Sequence, residues 1–146
     1  MRFLHTMVRV ADLNASLRFY CELLGLEEVR RIGNPVGRFT LVFLAAPSDQ
    51  PRAGAEMAPL IELTHNWDPE IYNSARNFGH LAFEVDDIYA TCQRLQAGGV
   101  TIARPPRDGR MAFVRSPVLD SVELLQKGAA RTATDPWKAM PNTGTW

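Results

Sequence analysis

Apolar and polar positions change period once in the first 25 residues, and the change marks a strand giving way to a helix. Residues 3–10 are rich in β-formers, with Val8 and Val10 on the face opposite Arg9. Asp12 follows at a helix N-cap position, where its side-chain oxygen can accept from exposed backbone N–H groups. Leu13, Leu17, Tyr20 and Leu24 then recur at helical spacing, and Gly25 ends the segment. The same succession returns later: an N-cap at Asp87, then Ile88, Cys92 and Leu95, then a stop at Gly98-Gly99. Phe39 to Ala45 and Pro59 to Thr64 read as strands, as do Thr101 to Ala103, Met111 to Arg115 and Ser121 to Gln126. Ala45 to Pro59, with three prolines and a glycine, reads as a loop. Gly128 to Trp146 reads as a tail of little regular structure.

The recurrence reaches the residues themselves. His5 matches His80, Val10 matches Val85, Asp12 matches Asp87 and Ala15 matches Ala90, all at an offset of 75. Ile61-Glu62-Leu63 resembles Val122-Glu123-Leu124 at an offset of 61, so the first half holds extra residues, which the loop at 45–59 accommodates. Matching order of histidine, acidic cap, helix and Glu-bearing strand points to a duplicated unit. The expected fold class is α+β: two βαβββ modules forming a curved mixed sheet. The repeat halves cover about 1–75 and 76–127 of a single domain, 1–127, and a C-terminal tail covers 128–146.

Charge narrows the partners. Sixteen Lys plus Arg balance sixteen Asp plus Glu, which argues against a nucleic-acid or an electrostatic membrane partner. The longest wholly apolar run, Leu41 to Ala46, is far too short to span a bilayer. His5, Arg9 and Asp12 interrupt the N-terminus before a signal-peptide core could form. Two cysteines, Cys21 and Cys92, are too few for a disulfide framework and suit a reducing compartment. A cytoplasmic protein is expected.

Two histidines and two glutamates occupy equivalent places in the halves: His5 and Glu62, His80 and Glu123. Singly, each is an ordinary surface residue. Both glutamates, however, sit inside apolar triplets, where strand alternation gives the charge a face of its own. A carboxylate on an inward face is costly unless a cation or donor compensates it. Two imidazoles and two carboxylates would leave a divalent ion open positions for water or substrate.

With these residues in hand the chain resembles glyoxalase I (lactoylglutathione lyase), of the vicinal-oxygen-chelate superfamily, over nearly its first 127 residues. The similar segments are His5-Thr6-Met7-Val8-Arg9-Val10, Phe19-Tyr20 with Leu24-Gly25, Ile61-Glu62-Leu63-Thr64 with Asn66-Trp67, Gly79-His80, and Val122-Glu123-Leu124. Ile61 to Trp67 is the most specific of them. The resemblance implies the glyoxalase/bleomycin-resistance/dioxygenase-like fold, with His5, Glu62, His80 and Glu123 as metal ligands. It also implies a homodimer whose sites are shared between subunits, first half of one with second half of the other. Arg9, Asn66 and Arg76 would bind glutathione; Arg9 and Asn66 stand four residues after His5 and Glu62, on the same strand faces if the strands are regular. The implied reaction converts the methylglyoxal–glutathione hemithioacetal to S-lactoylglutathione by proton transfer through an enediolate. Glu123 would be the principal base, and Glu62 a ligand and possible second base. The chain lacks the extensions of zinc-preferring members, so Ni²⁺ or Co²⁺ is favoured over Zn²⁺.

Two departures from the family pattern bear on specificity. The usual Asp-Pro-Asp-Gly turn is here Ser116-Pro117-Val118-Leu119, and loss of glycine implies a differently shaped turn. Glu84, four after His80, puts an acid where the family has a small or neutral residue. Arg104 to Arg110 could supply a cation for a substrate carboxylate or simply solubilise a loop, and Trp137 and Trp146 are expected to pack on a neighbouring subunit. The rivals are another isomerase or epimerase of the superfamily acting on a different substrate, and a metal-free dimeric module that sequesters a ligand.

Overall fold

In the first half of the chain, the strand predicted at residues 3–10 forms as β1 (His5–Arg9), and Asp12 caps the helix behind it. The computed structural model describes residues 4–69, 71–72 and 80–144. Asp12 Oδ1 accepts from the Ala15 N–H at 2.9 Å, fixing the start of α1 (Leu13–Leu17). The helix then runs on as a π-helical turn, Arg18–Leu23, that buries Phe19 and Tyr20 with their rings edge to face. Gly25, at φ +93°, releases the chain into β2 (Glu27–Asn34).

No strand is legible from the sequence at β2, and its composition explains why. It carries Glu27, Glu28, Arg30 and Arg31 and lies at the sheet edge, exposed along most of its length. Charge on an edge strand guards against pairing with other chains, and it also erases the alternation by which strands are recognised. β3 (Phe39–Ala45) and β4 (Leu60–Asn66) complete the sheet in the order β1-β4-β3-β2, with β1 parallel to β4 and the other pairs antiparallel.

The segment expected as a loop, Ala45 to Pro59, instead contains a short helix, α2 (Gln50–Glu56). Pro51 lies in its first turn, where a missing N–H costs nothing, and Arg52 reaches Glu56 one turn on. Ala53 packs with Phe43, Ala45 and Leu60, which are on the sheet face that also carries Glu62. The opposite face is buried through Val8, Val42, Leu44, Ile61 and Leu63.

The two halves form separate compact units, Met1–Asn73 and Ser74–Trp146, each with its own four-stranded mixed sheet. The second repeats the first: β5 (His80–Val85), α3 (Ile88–Ala97), β6 (Ile102–Arg104), β7 (Met111–Arg115) and β8 (Ser121–Gln126), in the order β5-β8-β7-β6. Asp87 caps α3 through the N–H groups of Tyr89 and Ala90. Buried Gln126 joins helix to sheet, accepting from Ile88 N–H and donating to the Asp86 carbonyl. No helix among the described residues is long and apolar enough to cross a membrane.

The tail is anchored to its own unit, which corrects the expectation for Trp137. That side chain is 6% exposed on a short 3₁₀ turn (Trp137–Ala139) within the chain itself; Trp146 lies outside the described residues. Arg131 bridges to Asp87 at 3.1 Å and donates to Gln126, Tyr89 donates to the Thr132 carbonyl, and Thr143 N–H reaches the Ala103 carbonyl. The arginines of the 104–110 segment are consumed in the same way. Arg107 donates to the Met140 carbonyl, Arg110 to that of Gly128, and Arg104 to Asp108 and the Met111 carbonyl. Burial alone would raise the Asp108 carboxyl, but Arg104 and the N–H groups of Arg110 and Met111 outweigh it and hold it down at about 2.

Gly109 shows how closely the tail is seated. Its φ is +66°, and a Cβ there would lie 2.0 Å from the Arg131 carbonyl oxygen, whereas a Cβ at Gly128, also left-handed, would meet open space. Gly109→Ala should therefore destabilise the protein by at least about 1 kcal/mol more than Gly128→Ala, because the strain of positive φ is common to both. Thermal unfolding of the two variants checks this.

Candidate metal and substrate site

Parallel pairing of the first and last strand sets the geometry in each unit. His5 is the Cα partner of Leu60, and His80 of Ser121, so in both cases the glutamate lies two residues beyond the histidine's partner. Two residues along a strand return to the same face. His5 Nε2 accordingly lies 3.2 Å from Glu62 Oε2, and His80 Nε2 lies 3.2 Å from Glu123 Oε2. Exposure matches as well, at 14% and 15% for the two carboxylates against 38% and 43% for the imidazoles. Each pair is a shielded oxygen beside an accessible nitrogen.

A phenylalanine completes each pair. Phe43 is the partner of Glu62 on β3, and Phe113 the partner of Glu123 on β7. The histidine ring meets the phenylalanine edge-on, at 6.0 Å between centroids in the first unit and 5.5 Å in the second. These aromatics pack against one side of each imidazole. Sequence reasoning missed them, although both sit at the centre of apolar strand segments, since only the register reveals that they border a glutamate.

The donor geometry suits a divalent metal. Nitrogen and oxygen ligands at about 2.0–2.2 Å from one ion, at right angles, are themselves about 3 Å apart. Both pairs have that spacing before any ion is bound. Among the described residues no group of three or more His, Cys, Asp or Glu gathers at one point. Among the described residues each unit pairs one such nitrogen with one such oxygen.

The flanking residues differ between the halves. Regular pairing along β1 and β4 puts Arg9 on the face of His5, and Thr64 and Asn66 on the face of Glu62. Arg9 is exposed, and Asn66 donates to the Tyr72 hydroxyl at 3.3 Å. Arg30, which the sequence reading passed over, places its guanidinium 4.5 Å from the centre of the Phe43 ring. The end of β4 is braced by Trp67, whose indole donates to Thr40, and by a two-pronged Arg38–Asp68 pair. Arg76 lies outside the described residues. In the second unit Glu84 takes the place of Arg9, exposed on His80's face of β5, while Lys127 reaches Asp86 at 3.2 Å.

Neither cysteine is built for nucleophilic chemistry. Burial pushes the Cys92 thiol up to about 12, and burial followed by Glu28 raises that of Cys21.

Comparisons with known proteins identify the family. A family model described as the Glyoxalase/Bleomycin resistance protein/Dioxygenase superfamily matches residues 2–120. The chain belongs to that superfamily. It is 38% identical over 136 residues to a probable lactoylglutathione lyase of Synechocystis sp., covering 90% of this chain and 99% of the relative. It is 41% identical over 132 residues to the lactoylglutathione lyase of Neisseria meningitidis, covering 87% and 91%. Among solved structures, the glyoxalase I of Leishmania major, described as trypanothione-dependent, matches with a TM-score of 0.75 at 33% identity, covering 87% of each chain.

The turn before β8 corrects one expectation. Leu119 stands where family members carry glycine, and it adopts φ +67°, so the left-handed position is kept rather than lost. The turn is closed by the Leu119 N–H donating to the Ser116 carbonyl and the Asp120 N–H donating to the Ser116 hydroxyl oxygen, and Arg115 clamps the Leu119 carbonyl. A leucine is held there against its own preference, with its side chain 61% exposed. Leu119→Gly should raise stability by about 0.5–1 kcal/mol, because relief of the left-handed strain exceeds the added freedom of the unfolded chain. Denaturant titration measures the gain directly.

Proposed function

We propose that the chain is a metal-dependent isomerase of the glyoxalase I type, converting the methylglyoxal–glutathione hemithioacetal to S-lactoylglutathione. The observation that carries the reading is the twin His–Glu pair, built twice on the same strand register with the same 3.2 Å separation. His5, Glu62, His80 and Glu123 are its ligands. A bound divalent ion, Ni²⁺ or Co²⁺ in preference to Zn²⁺, would act as a Lewis acid that polarises the substrate oxygens and offsets negative charge developing in the enediolate. Each unit provides half of the donor set, and the resemblance to glyoxalase I supports a homodimer as the working enzyme. Each of its sites combines the first half of one subunit with the second half of the other.

The remaining work falls to side chains of this protein. Glu123 takes the proton from C1 of the hemithioacetal and returns it to C2 while the hydroxyl proton passes from the C1 oxygen to the C2 oxygen, so that the reaction is a net isomerisation with no external acid or base consumed. Glu62 stays a ligand and stands by as base for the opposite substrate configuration. Arg9 and Asn66, with Arg76, hold the γ-glutamyl carboxylate of glutathione, a task for which a guanidinium fork is well shaped. Their positions four residues beyond His5 and Glu62 on regular strands support that role. Lactoylglutathione lyases matched over 99% and 91% of their own lengths support the substrate. Two free cysteines are in keeping with work in the cytoplasm.

The test is turnover of methylglyoxal plus glutathione by chelated protein reloaded separately with Ni²⁺, Co²⁺ and Zn²⁺. Metal-dependent S-lactoylglutathione is the expected product, with the highest rate on Ni²⁺ or Co²⁺. Stoichiometric metal with no turnover on any ion would shift the reading to another isomerase of the superfamily, and failure to bind metal would favour a ligand-sequestering module. Glu123→Gln should lower kcat by at least about 100-fold, the usual share of a positioned base, while largely retaining binding of a substrate analogue. Unchanged kcat would remove Glu123 from the mechanism.

A further inference from the structure

The two His–Glu pairs match in register, separation and exposure, so any difference between them is informative. One stands out. Thr64, 7% exposed and two residues beyond Glu62 on the same strand face, donates its hydroxyl to Glu62 Oε1 at 3.1 Å. The residue two beyond Glu123 is Leu125, which has no donor to offer. Glu62 therefore has Oε1 tied to its own strand and turns Oε2 toward His5. Glu123 has the same Oε2 contact with His80, and the strand provides no such tether for its other oxygen.

We infer that Thr64 is a positioning residue that divides the labour between the two glutamates. It holds Glu62 in the one-oxygen geometry of a ligand, so that Glu62 is the slower of the two bases, and the leucine at 125 leaves Glu123 free to swing or change its mode of binding as it moves a proton. This deepens the proposed function and rests on that reading of the four ligands. A carboxylate that must shuttle a proton between neighbouring carbons has to shift between two positions, and a second hydrogen bond from its own strand would oppose the shift. A carboxylate that only holds an ion gains from the same bond, because partners behind a ligand fix its orientation.

Three variants of the full-length protein test the division: Thr64→Val, which keeps the shape and removes the hydroxyl, Thr64→Ser, which restores it, and Leu125→Thr, which adds one beside Glu123. Each is chelated, and its dissociation constant for Ni²⁺ is measured by competition with a chromophoric chelator. kcat and KM are then determined separately on the loaded protein. Thr64→Val should weaken Ni²⁺ binding by about 10–100-fold, the usual cost of losing a partner behind a ligand, and Thr64→Ser should return the constant to within about threefold of native. Leu125→Thr should bind Ni²⁺ at least as tightly as the native protein, yet show a kcat lowered by about tenfold or more with little change in KM.

Native affinity in Thr64→Val, or native kcat in Leu125→Thr, would overturn the inference. Should Thr64→Val fold poorly, the serine and threonine variants still decide it, since a serine that fails to restore native affinity contradicts it. A native protein that binds Ni²⁺ but lacks isomerase activity would instead refute the proposed function, and the Thr64→Val affinity would then be read on its own.

Discussion

The site depends on the parallel pairing of the first and last strand of each unit. A βαβββ unit brings those two strands together only after the chain has passed through a helix and two further strands, so the His–Glu contact joins residues far apart in sequence. It forms because the pairing starts in one register: His5 opposite Leu60, His80 opposite Ser121. A slip of a single residue would turn each glutamate to the other face, among Val8, Val42 and Leu44 in the first unit or Ala112 and Val114 in the second, where an unpaired carboxylate would cost several kcal/mol. The hydrophobic pattern of β4 and β8 thus enforces the chemistry indirectly. Ile61 and Leu63, like Val122 and Leu124, claim the buried face, and Glu62 and Glu123 are left with the other.

On that scaffold the halves diverge in the residues that flank the two His–Glu pairs. The first unit presents Arg9, Arg30 and Asn66 around its pair, while the second has Glu84 in the place of Arg9 and has its arginines 104, 107 and 110 engaged by the loop and tail. Each half carries an equal His–Glu pair. The first half surrounds its pair with cations, whereas arginines of the second half secure the C-terminal segment.

Legibility from sequence followed physical cause. The strands around His5, Glu62, His80 and Glu123 and the two acidic caps could be read because each rests on local alternation or on a single side chain such as Asp12 or Asp87. β2 could not, since its edge position favours charge over alternation. α2 could not, because Pro47, Pro51 and Gly54 are turn formers in isolation, and only the packing of Ala53 on Phe43, Ala45 and Leu60 stabilises a helix there. Phe43 and Phe113 were hidden for a third reason. Their role comes from a cross-strand neighbour, and nothing in the adjacent sequence distinguishes them from ordinary core residues.

Leu119 shows where a motif and the physics behind it part ways. A missing glycine suggests a missing backbone conformation, but the conformation is imposed here by the Ser116 hydroxyl, the Arg115 guanidinium and the closing hydrogen bond, whichever residue occupies the position. The turn leads directly into Ser121, the register partner of His80, so its shape sets where β8 begins and therefore where Glu123 falls. Retaining the left-handed turn with a strained leucine preserves the His80–Glu123 contact at a cost in stability. The substitution is thus compatible with an intact His80–Glu123 contact, and its side chain is turned out to solvent.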